Sequence, residues 1–259
     1  MVLELDRLSL IARGATLLSD LSASVKAGEF WCILGRNGAG KTTLIKTLAG
    51  LREADRGDIR LDGRRLAKWP LIALAKRRAY LAQQVVDHFP ATVRDTVMTA
   101  RYPYHMHLAS GFGLESQTDR DAVERALEQF DLGPLAQRDV LTLSGGERRR
   151  VSLATVFAQD TTLLFLDEPS AHLDLDIEQR VFAMLASEVR SGKTVVASVH
   201  DPNLAQRYAT HAILLGAKNV RAGTLDEVLS TRNLAELFSH PVEELVLNGR
   251  RWFVPGPSG

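Results

Sequence analysis

Phe30-Trp31-Cys32-Ile33-Leu34-Gly35-Arg36-Asn37-Gly38-Ala39-Gly40-Lys41-Thr42 decides how the rest of the chain is read. It begins as an apolar run, passes through a glycine-rich loop and leads into apolar residues at helical spacing: Leu44, Ile45, Leu48 and Leu51. Strand, loop and helix in that order open an α/β unit. Gly35 to Thr42 also fits GxxxxGK[ST] at every fixed position. Glycines let a backbone wrap closely around phosphate, with several N–H groups pointing inward and a helix N-terminus behind them. In such a loop Lys41 supplies positive charge for the β- and γ-phosphates of a nucleotide, and the Thr42 hydroxyl ligates Mg²⁺. The predicted phosphate-binding set is therefore Gly35, Arg36, Asn37, Gly38, Ala39, Gly40, Lys41, Thr42 and Thr43. A plain glycine turn also matches the pattern, but the strand before it and the helix after it favour the phosphate cradle.

A second apolar run, Leu163-Leu164-Phe165-Leu166, ends abruptly in Asp167 and Glu168. Carboxylates closing a buried strand are costly unless something pairs with them. Downstream of a phosphate loop they suit hydrolysis, with Asp167 serving Mg²⁺ and Glu168 polarising the attacking water as general base. A strand that merely leaves the core into a solvated acidic turn is the competing account. Leu143-Ser144-Gly145-Gly146-Glu147 reads first as a helix start, Ser144 the N-cap and Glu147 completing a capping box. That capped end also presents N–H groups and a positive dipole, which suit a further phosphate contact. Arg148-Arg149-Arg150, just beyond, reads as the solvated cationic side of the same helix.

Outward from these stretches, Leu3 and Leu5, then Leu21, Ala23 and Val25, alternate; Ile59 and Leu61 lead into Asp62-Gly63. These are signals of an antiparallel β layer. Val123, Ala126, Leu127 and Phe130 repeat at helical spacing until Gly133-Pro134, and no strong strand interrupts the region. Strands return at Thr162–Leu166 and Thr194–Val199, separated by a helix patterned on Ile177, Val181, Leu185 and Val189. Asp201-Pro202 is an N-cap and first-turn pair, and Thr224 with Glu227 has capping-box spacing. Leu245–Leu247 and Trp252–Val254 flank Asn248-Gly249, a hairpin signal. The expectation is one domain over 1–259: a core at about 1–83 and 159–240, a helical subdomain at about 84–158 and a C-terminal hairpin at about 241–259.

Composition narrows the classes. Hydrophobic residues at 45% and charged residues at 24% are ordinary for a folded domain and exclude bulk disorder. Thirty-two Lys and Arg balance 31 Asp and Glu, so the basic excess that phosphate-neutralising nucleic-acid binders show is missing. The single cysteine, Cys32, excludes a disulfide within the chain and reads as a buried thiol in a reducing compartment, ahead of a lone reactive one. The N-terminal stretch carries Glu4, Asp6 and Arg7 where a signal peptide needs an apolar run. No window approaches the ~18 apolar residues of a membrane span.

With these residues in hand the chain resembles an ABC transporter ATPase subunit over nearly its whole length. Gly35–Thr42 matches the Walker A loop, Leu163–Glu168 the Walker B strand, and Leu143–Glu147 the LSGGQ signature with Glu147 in place of Gln. Gln83 falls at the Q-loop position, Ser170-Ala171-His172-Leu173-Asp174 resembles the D-loop, and His200 the switch histidine. The resemblance implies a P-loop NTPase fold of the ABC type: a RecA-like core, an N-terminal antiparallel β layer and a helical signature subdomain. It implies a head-to-tail dimer with each ATP between one chain's Walker A loop and the other's signature residues Ser144, Gly145, Gly146 and Glu147, with Asp174 nearby. Gln83 would sense the γ-phosphate and Mg²⁺, joining Thr42 and Asp167 as metal ligands, while His200 would contact the γ-phosphate beside Glu168.

The chain is similar, more narrowly, to the importer ATPases serving iron–siderophore, haem and cobalamin permeases. The matching stretches are Thr92–Val97, Ala100-Arg101-Tyr102-Pro103, Ser198–Ala205 and Arg207-Tyr208-Ala209. The implied partners are an integral-membrane permease dimer and, indirectly, an extracytoplasmic substrate-binding protein, with the chain peripheral on the cytoplasmic face of the inner membrane and no nucleic acid bound. Where the family offers an aromatic to stack on adenine, this chain reads Ser9-Leu10-Ile11-Ala12-Arg13. Arg13 lying flat on the base is one alternative, a loose contact the other. Val85, Val86, Phe89, Tyr102, Tyr104 and Met106, interleaved with His88, His105 and His107, either fill the helical subdomain or mark a docking surface. The competing function is a soluble ABC-type ATPase acting on a ribosome or DNA. One domain, no heptad run and no basic excess weigh against it. Intact Glu168 and His200 weigh against a scaffold that binds ATP without turning it over.

Overall fold

The structure, a computed structural model, describes residues 2–12, 14–84, 89–105, 115–216 and 219–257, without the side chain of His105. Along the chain, β1 (Val2–Ala12) and β2 (Ala15–Lys26) form a long hairpin, β3 (Phe30–Gly35) runs into α1 (Lys41–Leu48), and β4 (Arg56–Leu61) and β5 (Arg64–Arg65) follow. After α2 (Leu71–Ala75) and β6 (Arg78–Leu81) come α3 (Val93–Met98), α4 (Tyr102–His105), α5 (Gln117–Gln129) and α6 (Gly145–Ala158). The chain then alternates through β7 (Leu163–Leu166), α7 (Leu175–Arg190), β8 (Thr194–Val199), α8 (Pro202–Tyr208), β9 (His211–Leu215) and β10 (Val220–Thr224). It ends with α9 (Leu225–Val228), α10 (Thr231–Phe238), β11 (Val242–Leu247) and β12 (Arg250–Pro255).

Two sheets lie over each other. The antiparallel one has the order β2-β1-β4-β5, and the six-stranded one β10-β9-β3-β8-β7-β6. In the latter β9, β3, β8, β7 and β6 are parallel and β10 turns back along β9. β3 is buried along its whole length because both of its faces are covered. Trp31 and Ile33 pack with Leu44, Ile45 and the β1 leucines, and Phe30, Cys32 and Leu34 pack towards α6 and α7. The alternation of the pleat therefore divides one apolar run between two cores. Burial pushes the Cys32 thiol far above its usual range, as suits an inert core residue.

The helical segment is secured by a buried ion pair. Arg101 Nε donates to Asp119 Oδ1 at 2.9 Å and its Nη1 to the Ala158 carbonyl at 2.9 Å, joining the starts and ends of helices distant in sequence. Asp119 also closes the capping box of α5 with Ser116. At the C-terminus, Asn248 (φ 52) and Gly249 (φ 72) both adopt left-handed backbone, the two-residue turn that matches strand twist. Asn203 brackets Phe253 with two hydrogen bonds, which fixes this hairpin against α8.

One expectation is overturned. Arg148-Arg149-Arg150 is not a solvated cationic face: Arg149 is buried at 5% exposure, and Arg150 donates to the carbonyls of Phe130 and Asp131. Arg148 donates to Leu141 O. The guanidinium groups turn back onto backbone carbonyls that converge around α6, which no run of like charges discloses.

Candidate functional site

Because the core strands are parallel, their C-terminal ends meet along one edge, where ligands bind in open α/β sheets. β3 delivers the glycine loop there, β7 delivers Asp167 and Glu168, β8 delivers His200, and the turn after β6 delivers Gln83. They bound a cleft of about 690 Å³ whose lining includes Lys41, Thr42, Thr43, Gln83, Glu168 and His200. The loop is closed by Ala39 N–H donating to Arg36 O at 3.1 Å. At Gly40 (φ 100) the left-handed backbone favours glycine, and a Cβ would also crowd Leu17 of β2, 2.9 Å from its Cδ1. α1 starts without a side-chain cap, and the first N–H groups of a helix, which have no partner within it, suit an anion.

Lys41 is 5% exposed, and its Nζ donates to Gly35 O at 2.9 Å. Burial lowers its pKa, opposed by the charges of Glu168 and Asp167. Thr42 Oγ1 donates to Gln83 Oε1 at 3.4 Å. His200 Nδ1 lies 3.5 Å from Lys41 Nζ and its Nε2 2.7 Å from Glu168 Oε1. An ammonium only donates, so a neutral ring with its proton on Nε2 satisfies both contacts.

Asp167 is fully buried. Its Oδ1 accepts from Ser198 Oγ at 2.7 Å, and the same Ser198 oxygen accepts from Glu168 N–H at 2.8 Å. Ser198 thus braces both acids, a part no pattern in the sequence assigned to it. Glu168 has φ 51, a left-handed backbone unusual for a non-glycine residue, held by this bond. Among the described residues, Asp167 Oδ2 is buried without a protein partner. A buried carboxylate oxygen with no donor fits a hard cation. Together with Thr42 Oγ1 and Gln83 Oε1 it would offer Mg²⁺ an all-oxygen donor set of the sparse kind that ion takes when phosphates and water fill the remaining positions.

The signature residues stand elsewhere. Ser144 and Glu147 form the predicted capping box, with Ser144 N–H donating to Glu147 Oε2 at 2.7 Å, which holds the Glu147 carboxyl below its usual range. Among the described residues none of Ser144, Gly145, Gly146 and Glu147 lines the cleft. A Cβ on Gly146 would lie 3.5 Å from His172 O, so the signature end neighbours the loop leading to Asp174, itself the exposed N-cap of α7. One chain therefore brings Gln83, Glu168 and His200 to its phosphate loop but leaves Ser144–Glu147 apart from it.

The sequence profile of the ABC transporter family matches residues 18–171, which span the phosphate loop, the capped helix and both acids. The chain belongs to the ABC transporter family. It is an ATP-binding, ATP-hydrolysing cassette with the antiparallel layer and parallel core of that fold. The hemin import ATP-binding protein HmuV of Rhodococcus jostii is 37% identical over 242 residues, covering 93% of this chain and 81% of that one. A Bacillus subtilis protein described as a siderophore transport system ATP-binding protein, YusV, is 36% identical, covering 90% and 84%. Among solved structures, a transporter described as of the metal-chelate ABC type, in an inward-facing conformation, aligns with TM-score 0.84 at 26% identity. The alignment covers 99% of this ABC ATPase and 98% of that chain. Arg13 and the segments 85–88 and 106–114, on which some adenine and docking expectations rested, lie outside the described residues.

Proposed function

We propose that this ABC ATPase is the energy-coupling subunit of an importer for a metal chelate (a ferric siderophore, haem or cobalamin), bound peripherally to a permease pair at the cytoplasmic face of the inner membrane. The observation that carries the reading is the division of the site: one chain holds a phosphate cradle beside Glu168 and His200, and a capped signature helix whose Ser144–Glu147 end does not line it. Two copies head to tail place each Ser144 end against the other's cradle. The relatives that import hemin or siderophores, over nearly the full chain, support the cargo class, and an extracytoplasmic binding protein would deliver the chelate.

In this reading the P-loop N–H groups and Lys41 hold the β- and γ-phosphates, and Thr42, Gln83 and Asp167 hold Mg²⁺, which when bound neutralises developing phosphate charge. Glu168 orients and polarises one water for attack on the γ-phosphorus. The bond to the β-bridging oxygen breaks, ADP leaves with that oxygen, and the water becomes part of inorganic phosphate with release of a proton. His200, held between Lys41 and Glu168, steadies the γ-phosphate and the base. Ala12, Ala15 and Leu17 offer an aliphatic wall for the base in place of an aromatic stack.

Beside Gln83 a second cleft of about 310 Å³ runs between β6 and α6, lined by Leu81, Ala82, Thr99, Leu143 and Val151 among others. Tyr80 Oη and Arg148 Nε are buried along it and, among the described residues, have no protein partner. Phe89 is 80% exposed and Tyr102 55%, whereas Tyr104 is half-buried with its hydroxyl on Gln159 O. This groove suits a short cytoplasmic helix of the permease, anchored by aromatic contacts. Among the described residues no helix is long and apolar enough to cross a membrane. The test is reconstitution with a candidate metal-chelate permease. Chelate uptake that needs ATP supports the reading, and ATPase activity with no membrane association or uptake refutes it.

A further inference from the structure

Arg149 sits in the second turn of α6 and is buried at 5% exposure. Every hydrogen bond described for its guanidinium goes to a backbone carbonyl. Nη1 donates to Ala82 O at 2.7 Å and Gln83 O at 3.4 Å, and Nε donates to Pro169 O at 3.2 Å. Nη2 donates to Asp167 O at 2.8 Å and also to Glu168 O. The acceptors belong to two separate segments, the turn after β6 and the turn after β7. These segments carry the γ-phosphate glutamine and the catalytic acid.

A buried cation is costly to place, and burial pushes this guanidinium down to about 10 against the opposing pull of Asp167 and Glu168. It stays charged at neutral pH, and its flat fork of donors meets carbonyls from several directions at once, which an ammonium cannot do. If α6 moves relative to either turn, buried donors and carbonyls lose their partners together. The two turns and the helix are therefore held as one body.

We propose that Arg149 is a positioning residue that locks the Gln83 turn and the Glu168 turn to the signature helix, so that the two composite ATP sites of the dimer are joined through one side chain. The proposal rests on the head-to-tail reading above. In that arrangement α6 presents Ser144 to the partner's nucleotide, while Gln83 and Glu168 serve the chain's own. Displacement of the helix by one nucleotide is then passed to the acid and the glutamine acting on the other.

The test uses Arg149→Lys and Arg149→Gln in the complete transporter. Misplacing a catalytic group by a fraction of an ångström costs much of its effect, so kcat should fall about tenfold or more in both variants. Direct titration should give ATP affinity within about threefold of the wild type, because no P-loop contact is touched. Retained charge in Arg149→Lys should not rescue kcat, and full rescue would overturn the proposal. In dimers with Arg149→Gln in one subunit only, vanadate-trapped nucleotide should fall at both sites, read by crosslinking an azido-ATP to differently tagged subunits. Loss confined to the site built on the variant's own Walker A loop would overturn the link between sites. Hydrogen exchange on the wild type covers the case in which neither variant folds. Trapping with ATP and vanadate should protect residues 82–84, 167–170 and the first two turns of α6 together, and protection of the turns without the helix would overturn the proposal. A wild type that neither binds nor hydrolyses ATP defeats the functional reading itself. A working wild type whose Arg149 variants keep kcat within about twofold defeats only this inference.

Discussion

His200 Nε2 stands 2.7 Å from Glu168 Oε1, while the opposite ring nitrogen faces Lys41. Cation, imidazole and carboxylate thus form a chain that links the lysine of the glycine loop to the acid proposed as base. Replacing Glu168 tests the chain at its carboxylate end. Glu168→Gln should keep ATP affinity and lower turnover about a hundredfold or more, the range for loss of a general base. Binding and steady-state hydrolysis on one preparation settle the matter, and near-wild-type turnover removes Glu168 from the mechanism.

Lys41→Ala acts at the other end. Loss of a buried charge-assisted contact to phosphate should weaken ATP binding about tenfold to a hundredfold. Unchanged affinity in a direct titration contradicts the cradle.

The division of the site makes a complementation experiment decisive. Pairing a Lys41→Ala subunit with a Ser144→Arg subunit puts both lesions in one composite site and leaves the other intact. Trapped nucleotide at one site per dimer is expected. No intact site in the mixed dimer would mean that each ATP is bound within a single chain.

Ser198→Ala removes the hydroxyl that Asp167 and the Glu168 N–H share. Two buried polar groups lose a partner, which should cost about 1–3 kcal/mol of stability and lower hydrolysis without abolishing ATP binding. Chemical denaturation with a kinetic assay measures both, and a variant as stable and active as the wild type shows the brace to be idle.

Charged substitutions at Phe89 and Tyr102 probe the docking face. Phe89→Glu and Tyr102→Glu should abolish co-sedimentation with membranes holding the permease while the isolated chain still hydrolyses ATP, since neither residue lines the phosphate cleft. Variants that still sediment place the permease elsewhere.

Features whose cause is local were legible in the sequence. The Ser144–Glu147 box, the Asn248-Gly249 turn and the strand-loop-helix around Lys41 each depend on residues a few positions apart. Ser198, Leu17 and Arg149 were not, because each acts on a segment far along the chain. Arg149 looks like its two neighbours in a basic run, and only the carbonyls of residues 82–83 and 167–169 make a hole for it. β6 offers only Ala79 and Leu81 as inward residues, too faint a signal for a strand. The exposed aromatics could be sorted from Tyr104 only once the Gln159 carbonyl was found at its hydroxyl.

The order β9-β3-β8-β7-β6 sets Phe30 beside Val195 and Trp31 beside His211. The phosphate loop thus leaves the ribosome well before either of the strands that flank it. Until then β3 has two unpaired edges and an apolar face on each side, a combination that invites aggregation. A chain arrested before β8 would carry every residue of the glycine loop and still have no rigid floor beneath it. Nucleotide capture is in this sense withheld from the growing polypeptide until β8 and β9 have emerged.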